Sequence, residues 1–396
     1  MTERLYYKDP GLLEFTARVV ETGRDEHGCV TVLDRSAFYP TSGGQSYDTG
    51  SLNGKQVVDV TEGDAGRVLH HTTEPVGAIG DAVEGRIDKV RRRRHRQSHT
   101  GQHLLSAAFH HLFGYVTASV HLGEEYSAVE FDVETVSDND LKRAETWVND
   151  TIADNVPIEI MFVESDRIAE LPMRKQPKRS GLLRLIKIGE LDYSACGGTH
   201  CNTTGGVGLL KIVGIEKMRG RALVKYLCGD LAVADYLSRY EATDVMARAA
   251  TCNPDDLPGK FEKLSDELRD AKADLSALRK ELLPTHAAQL ATKAEQAGRC
   301  RFVLAPAPEA DPSTGGQLAA LVADNIGGLA VLLIAGRLMV AAPENGEFDA
   351  GQIVKALVAR CDLKGGGNRR QAQLGGAPIN DLAPYRAMLR EILGDA

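Results

Sequence analysis

Ser98-His-Thr-Gly-Gln-His-Leu-Leu-Ser-Ala-Ala-Phe-His-His-Leu-Phe-Gly114 is the stretch from which the rest of the chain can be placed. Leu105, Phe109 and Leu112 recur at helical spacing. Ser98 suits an N-cap and Gly114 a left-handed C-cap. On that helix His99 and His103 lie one turn apart on the same face, in the first turns. Far along the chain, Cys196-Gly-Gly-Thr-His200 offers a thiol and an imidazole at the same spacing, in a glycine-rich segment able to bend around an ion. His99, His103, Cys196 and His200 together make a full tetrahedral set for one Zn²⁺ ion, which favours imidazole and thiolate. A zinc-peptidase helix would carry a Glu beside its first His. Thr100, Gly101 and Gln102 stand there instead, so that chemistry is excluded. Cys201 is a second thiol within reach of the ion, and His110 and His111 are expected to take no part.

Working outward, Arg91-Arg-Arg-Arg-His-Arg96 leads straight into the histidine pair. A charge run is commonly a solvated face, but this one is uninterrupted and of one sign. Arg91, Arg92, Arg93 and Arg94 are therefore candidates for phosphate contact. Residues 1–90 alternate in short β-type runs, among them Phe15-Thr-Ala-Arg-Val-Val, Cys29-Val-Thr-Val-Leu and Ala82-Val-Glu-Gly-Arg-Ile. Asn53-Gly54 between two of them signals a type I′ hairpin, and a small antiparallel barrel follows. Inside it, Phe38-Tyr-Pro-Thr-Ser-Gly-Gly-Gln-Ser-Tyr-Asp48 contains Gly43-Gly44, either a tight turn or a point of close backbone approach, followed by Gln45 with both donors and acceptors. Downstream, Thr117 and Ser119 are small hydroxyls two apart in an extended stretch, placed to line a pocket or to be ordinary strand residues. Residues 172–180 form a basic loop with Arg174, Lys175, Lys178 and Arg179. Arg219 and Arg221 add positive charge around a turn.

Phe261, Leu264, Leu268, Ala271, Leu275, Leu278 and Leu282 step by three and four, an a/d seam predicting a coiled-coil or helical-hairpin arm. Pro284 punctuates it, and the partner helix is expected from residues 285–298 or from another subunit. Residues 299–396 alternate apolar runs and helices, an α/β pattern. They include a loop, Gly365-Gly-Gly-Asn-Arg-Arg-Gln-Ala-Gln-Leu-Gly-Gly376, whose Arg369 and Arg370 suit a phosphate. Four segments result: 1–90, 91–235, 236–298 and 299–396, an α+β chain. The net charge of −8 over 396 residues excludes a wholesale nucleic-acid coat, so nucleic-acid contact must come from local basic patches. The seven cysteines are irregularly spaced and point to a reducing compartment. No apolar signal core or run long enough for a membrane span occurs, and a cytoplasmic protein is expected.

These motifs, in this order over about 200 residues, resemble the editing domain of alanyl-tRNA synthetase and its free-standing AlaX-type relatives. The barrel begins within the first twenty residues, so the synthetase's aminoacylation domain is expected to be absent. The resemblance implies a zinc-dependent trans-editing hydrolase. Its reaction is water attack on the ester of Ser-tRNA(Ala), sometimes also Gly-tRNA(Ala). It implies that His99, His103, Cys196 and His200 hold the zinc ion and that Thr117 and Ser119 recognise the serine hydroxyl. It further implies that Gly43, Gly44 and Gln45 lie near the acceptor end. Residues 91–235 are similar to the second additional domain of threonyl- and alanyl-tRNA synthetases. Residues 299–396 resemble a DHHA1-type domain, which implies tRNA binding and self-association as a homodimer through the coiled coil and this domain; Asn368-Arg369-Arg370 stands where Arg-Pro-Asp is more common. A tRNA-binding module with a structural zinc, and an editing module for Ser-tRNA(Thr), are the rival readings.

Overall fold

Six short strands close into an antiparallel barrel in the order Glu14–Asp25, Gly28–Leu33, Val68–Thr72, Lys55–Glu62, Gly50–Leu52, Ala82–Ile87 and back to the first. The alternating pattern puts Phe15, Val19, Leu52, Val57, Val60, Val68 and Val83 inside. Leu52 pairs with Lys55, and Asn53 and Gly54 have φ of 47° and 75°. That is the type I′ hairpin expected of Asn-Gly. The computed structural model describes residues 1–396 apart from 26–27, 177–179, 362, 377–378, 380 and 395–396, so Lys178 and Arg179 lie outside the described residues. The described chain divides into two units, Met1–Met246 and Ala247–Ala396.

The barrel's last strand runs directly into the helix Lys89–Phe113. This helix starts ten residues earlier than its histidine stretch suggests, with Asp88 and not Ser98 as its cap. The Asp88 carboxylate accepts from the Val90 and Arg91 N–H groups and caps it, while Ser98 is buried in mid-helix. Arginine is a good helix former, so the arginine run extends the helix rather than preceding it. Gly114 closes it at φ 72°, as expected. Leu104, Leu105, Ala108 and Phe109 pack onto Val129, Phe131, Val224 and Tyr226 of a four-stranded antiparallel sheet and Ile186 of a three-stranded one. The three-stranded sheet comprises Ile158–Glu164, Leu182–Ile188 and Asp192–Ala195.

In the second unit a six-stranded sheet contains one parallel pair, Cys300–Pro306 with Leu329–Ile334, joined through the helix Pro312–Ile326. Both faces are covered. Val303, Ala305 and Leu332 meet Leu318 and Val322; Phe302, Leu304 and Val331 share a core with Val354, Leu357 and Leu389. Two expectations are corrected here. The glycine-rich segment is a β-hairpin, Lys364–Gly367 with Gln371–Gly375, at the sheet's edge. Arg370 is tied into the turn's surroundings by Asp324 and the Ala342 carbonyl, and Arg369 is exposed and donates to the Gly346 carbonyl. The heptad stretch is one helix, Leu257–Ala291, that continues through Pro284. Residues 285–291 are therefore its extension and not its partner. Burial of Leu283, Ala287 and Leu290 against the sheet offsets the hydrogen bond that Pro284 removes. Phe261, Leu268 and Leu278 of the seam stay largely exposed in the single chain.

Candidate metal centre

The helix Lys89–Phe113 presents His99 and His103 to the segment after the strand Asp192–Ala195, which carries Cys196 and His200. One ligand atom from each of the four lies within 4.8 Å of every other. Cys196 Sγ stands 3.4 Å from His99 Nε2 and 3.3 Å from His200 Nε2. A tetrahedron built on zinc–nitrogen and zinc–sulfur bonds has an edge of about 3.5 Å. The quartet can thus hold a metal ion, and its donor set and spacing fit zinc. Gly198 is needed for this approach, because a Cβ there would stand 2.1 Å from the His99 ring.

Each imidazole is turned by a partner on its far nitrogen. His99 Nδ1–H donates to Gln45 Oε1 at 2.8 Å. Gln45 also accepts from the Thr199 N–H (3.1 Å) and donates to Thr199 Oγ1 (3.0 Å). His103 Nδ1 faces Asp192 Oδ2 at 3.0 Å, and Arg174 and Ser194 hold that carboxylate. His200 Nδ1 lies 3.4 Å from Thr100 Oγ1, which accepts from the Cys201 N–H. All three Nε2 atoms are left for an ion, the arrangement by which outer partners orient metal-binding histidines. Burial, with His99 nearby, pushes His200 down to about 3 and keeps it neutral. Burial also lowers His103, but Asp192 and Cys196 outweigh it and raise that ring to about 9. Cys196 sits well below the ordinary thiol value: burial opposes the thiolate, and His99 and His200 favour it. Burial raises Asp192, yet His103 and Arg174 hold it well below the carboxylate range.

His103 and Cys196 also line a cleft of about 900 Å³. Among the described residues its walls carry Arg174, Lys175 and Arg184 and no carboxylate, so the cleft is cationic in an acidic chain. Thr117 lines it, and its Oγ1 is buried without a hydrogen-bond partner among the described residues. Ser119 does not line it. Its hydroxyl donates to Glu130 at 2.5 Å, outside the cleft. The register between Glu130 and Phe131 slips by one residue opposite Thr117 and Ser119, and this bulge at Ala118 breaks the alternation that would have put both hydroxyls on one face.

Gln45 is likewise not in the cleft wall. Gly43 and Gly44, at φ 57° and 88°, make the turn that brings Gln45 back beneath His99, and a Cβ on Gly44 would press the Val120 carbonyl at 3.0 Å. The arginine run is split by the helix. Arg92 is 1% exposed and saturated by Asp48 and the carbonyls of Pro10, Leu12 and Ala37, so it bolts helix to barrel and has no face for phosphate. Arg91 pairs with Glu124 and Arg93 with Asp230, whereas Arg94 is exposed and makes no ion pair among the described residues. Arg219 occupies the turn at φ 51°, and Arg221 is paired with Asp132. Sequence reasoning missed Asp192, Arg184, Thr100 and Tyr7. Arg184 alone left a signal, a single charge in the apolar run Leu182-Leu-Arg-Leu-Ile.

Residues 183–222 match the family described as the threonyl and alanyl tRNA synthetase second additional domain, and residues 9–91 match that of class II (A) tRNA synthetases. The chain is 31% identical to an alanine–tRNA ligase of Archaeoglobus fulgidus over 392 residues, 94% of this chain and 42% of the ligase. It is 31% identical to that of Natronomonas pharaonis, over 99% of this chain and 44% of the ligase. It is 33% identical to the alanyl-tRNA editing protein AlaX-L of Pyrococcus horikoshii, over 59% of this chain and 60% of that protein. The chain thus spans less than half the length of the ligases it matches.

Proposed function

The chain is a relative of the AlaX-type alanyl-tRNA editing proteins, and we propose that it hydrolyses the ester of tRNA(Ala) mischarged with serine. The observation that carries this is a pre-oriented His₃Cys quartet on the wall of a cationic, carboxylate-free cleft. Water adds to the ester carbonyl, the bond to the ribose oxygen breaks, and serine and uncharged tRNA leave. A bound zinc ion would polarise that carbonyl or acidify the attacking water. His103 and Cys196 lie on the cleft side of the quartet, where the ester must arrive. Lys175 attracts the phosphates of the acceptor end, while Arg174 is held by Asp192. Thr117 offers the serine hydroxyl a hydrogen bond that alanine cannot return, which leaves a buried polar group unpaired and disfavours the correct product. Gln45, Asp192 and Thr100 hold the three rings and touch no substrate.

The test is serine release from Ser-tRNA(Ala), compared with Ala-tRNA(Ala) and Ser-tRNA(Thr), for wild type and Cys196→Ala. Rapid loss of Ser-tRNA(Ala) alone, abolished by the substitution, is expected. Faster loss of Ser-tRNA(Thr) would transfer the activity to the threonine system. Tight tRNA binding without any deacylation would make the chain a binding module.

A further inference from the structure

Phe162 lines the cleft beside the metal quartet and yet is 46% exposed. It lies on the strand Ile158–Glu164, directly opposite Arg184 on Leu182–Ile188. Arg184 is in turn opposite Cys196. The pairing of Leu185 with Ala195 extends by one residue through the 3.1 Å hydrogen bond from the Cys196 N–H to the Arg184 carbonyl. Opposed residues of antiparallel strands project on one face. Phe162, Arg184 and Cys196 therefore form a row across the sheet that spans two strand spacings, about 10 Å. One end is a metal ligand and the other an uncovered ring. Between them the Arg184 guanidinium is fixed over the Tyr7 ring (5.3 Å) and donates to the Cys196, Gly198 and Tyr7 carbonyls. Leu182 and Val116, also exposed, line the same cleft.

An ester seated at the quartet brings its own nucleoside. The cleft is far larger than a seryl group requires, and 10 Å is comparable with the reach from a terminal ribose ester to the far side of its base. Unpaired bases stack on aromatic faces irrespective of sequence. Lys175 in the same cleft matches the charge of the adjoining phosphate. We propose that Phe162 is the platform on which the 3′-terminal nucleobase of the substrate stacks while its ester lies at the metal quartet. This rests on the editing function proposed above.

The full-length wild type, Phe162→Ala and Phe162→Trp are compared in deacylation of Ser-tRNA(Ala). Binding of adenosine 5′-monophosphate is followed separately through indole fluorescence, with wild type, whose one tryptophan is Trp147, as background. Stacking of one base supports a rise in KM of about tenfold in Phe162→Ala, with kcat within about twofold. Phe162→Trp, which keeps an aromatic face, restores KM, and the nucleotide quenches its added indole. An unchanged KM in Phe162→Ala, a loss confined to kcat, or an equal loss in both variants overturns the platform. Should wild type leave Ser-tRNA(Ala) intact, the editing function fails and the quenching decides the platform by itself: quenching supports it and its absence overturns it.

Discussion

Replacing Gln45 by alanine is expected to weaken metal binding at the His₃Cys quartet, to which Gln45 supplies no ligand atom of its own. Gln45 is fully buried and is the acceptor for both His99 Nδ1–H and the Thr199 N–H. His99 is 4% exposed and Thr199 not at all, so water cannot readily replace the lost acceptor. Two buried donors left unpaired cost about 1–3 kcal/mol each, or roughly 2–6 kcal/mol of stability. The His99 ring also loses the partner that fixes its orientation. Outer-partner losses of this kind lower metal affinity by about 10- to 100-fold, equivalent to about 1.4–2.7 kcal/mol. Zinc competition against a chromophoric chelator measures the affinity, and urea unfolding with and without zinc measures the stability. Gln45→Glu keeps an acceptor oxygen for His99 and is expected to recover most of the affinity. A folded Gln45→Ala protein with wild-type zinc affinity would refute the claim that the barrel's glycine turn exists to orient a ligand.

Thr117→Val is expected to reduce the preference for Ser-tRNA(Ala) over Ala-tRNA(Ala) by about tenfold, the worth of one hydrogen bond of about 1.5 kcal/mol, whereas Ser119→Ala leaves the ratio alone; equal effects in a deacylation assay would show that the bulge does not separate the two hydroxyls. Arg92→Ala strands the buried Asp48 carboxylate and is expected to cost about 3–5 kcal/mol in urea unfolding. A phosphate-contact role would instead lower tRNA affinity with stability intact. His70, buried in the barrel between Ser36 Oγ (2.7 Å) and the Thr31 carbonyl (3.0 Å), is pushed by burial from 6.5 down to about 4. The unfolded chain binds this proton first, so the stabilisation is full above pH 6.5 and falls by about 3 kcal/mol as pH drops towards 4. His70→Gln should flatten that part of the urea-midpoint profile, and an unaltered slope would count against it.

That His99, His103, Cys196 and His200 meet, and that a barrel forms, was legible because both rest on local rules. Ligand types at helical spacing and Asn-Gly at a two-residue turn declare themselves in sequence. The remainder depended on what lies opposite in space. Nothing in Arg91-Arg-Arg-Arg distinguishes Arg92, bolted to Asp48, from Arg94, which faces solvent. Thr117 and Ser119 are equivalent in the sequence pattern, and a one-residue bulge at Ala118, between them on their own strand, turns one away. Gly43-Gly44 is both the tight turn and the close backbone approach that the sequence offers as alternatives, but what the turn positions, Gln45 against His99, lies 54 residues away. Pro284 punctuates the seam in sequence, because a proline's local penalty is visible there and the packing of Leu283 and Ala287 that offsets it is not. Asp192 left no signal, since a carboxylate's partner cannot be read along one strand.

The most direct measurement is single-turnover serine release from Ser-tRNA(Ala) by one preparation of the full chain, assayed zinc-loaded, after chelation, and after zinc is restored, with tRNA binding followed in the same samples. Release should be fast, lost on chelation and regained with zinc, while tRNA binding changes little. Equal release from the loaded and stripped protein, or tRNA binding with no release in any state, would contradict a hydrolytic role for the His99, His103, Cys196 and His200 quartet.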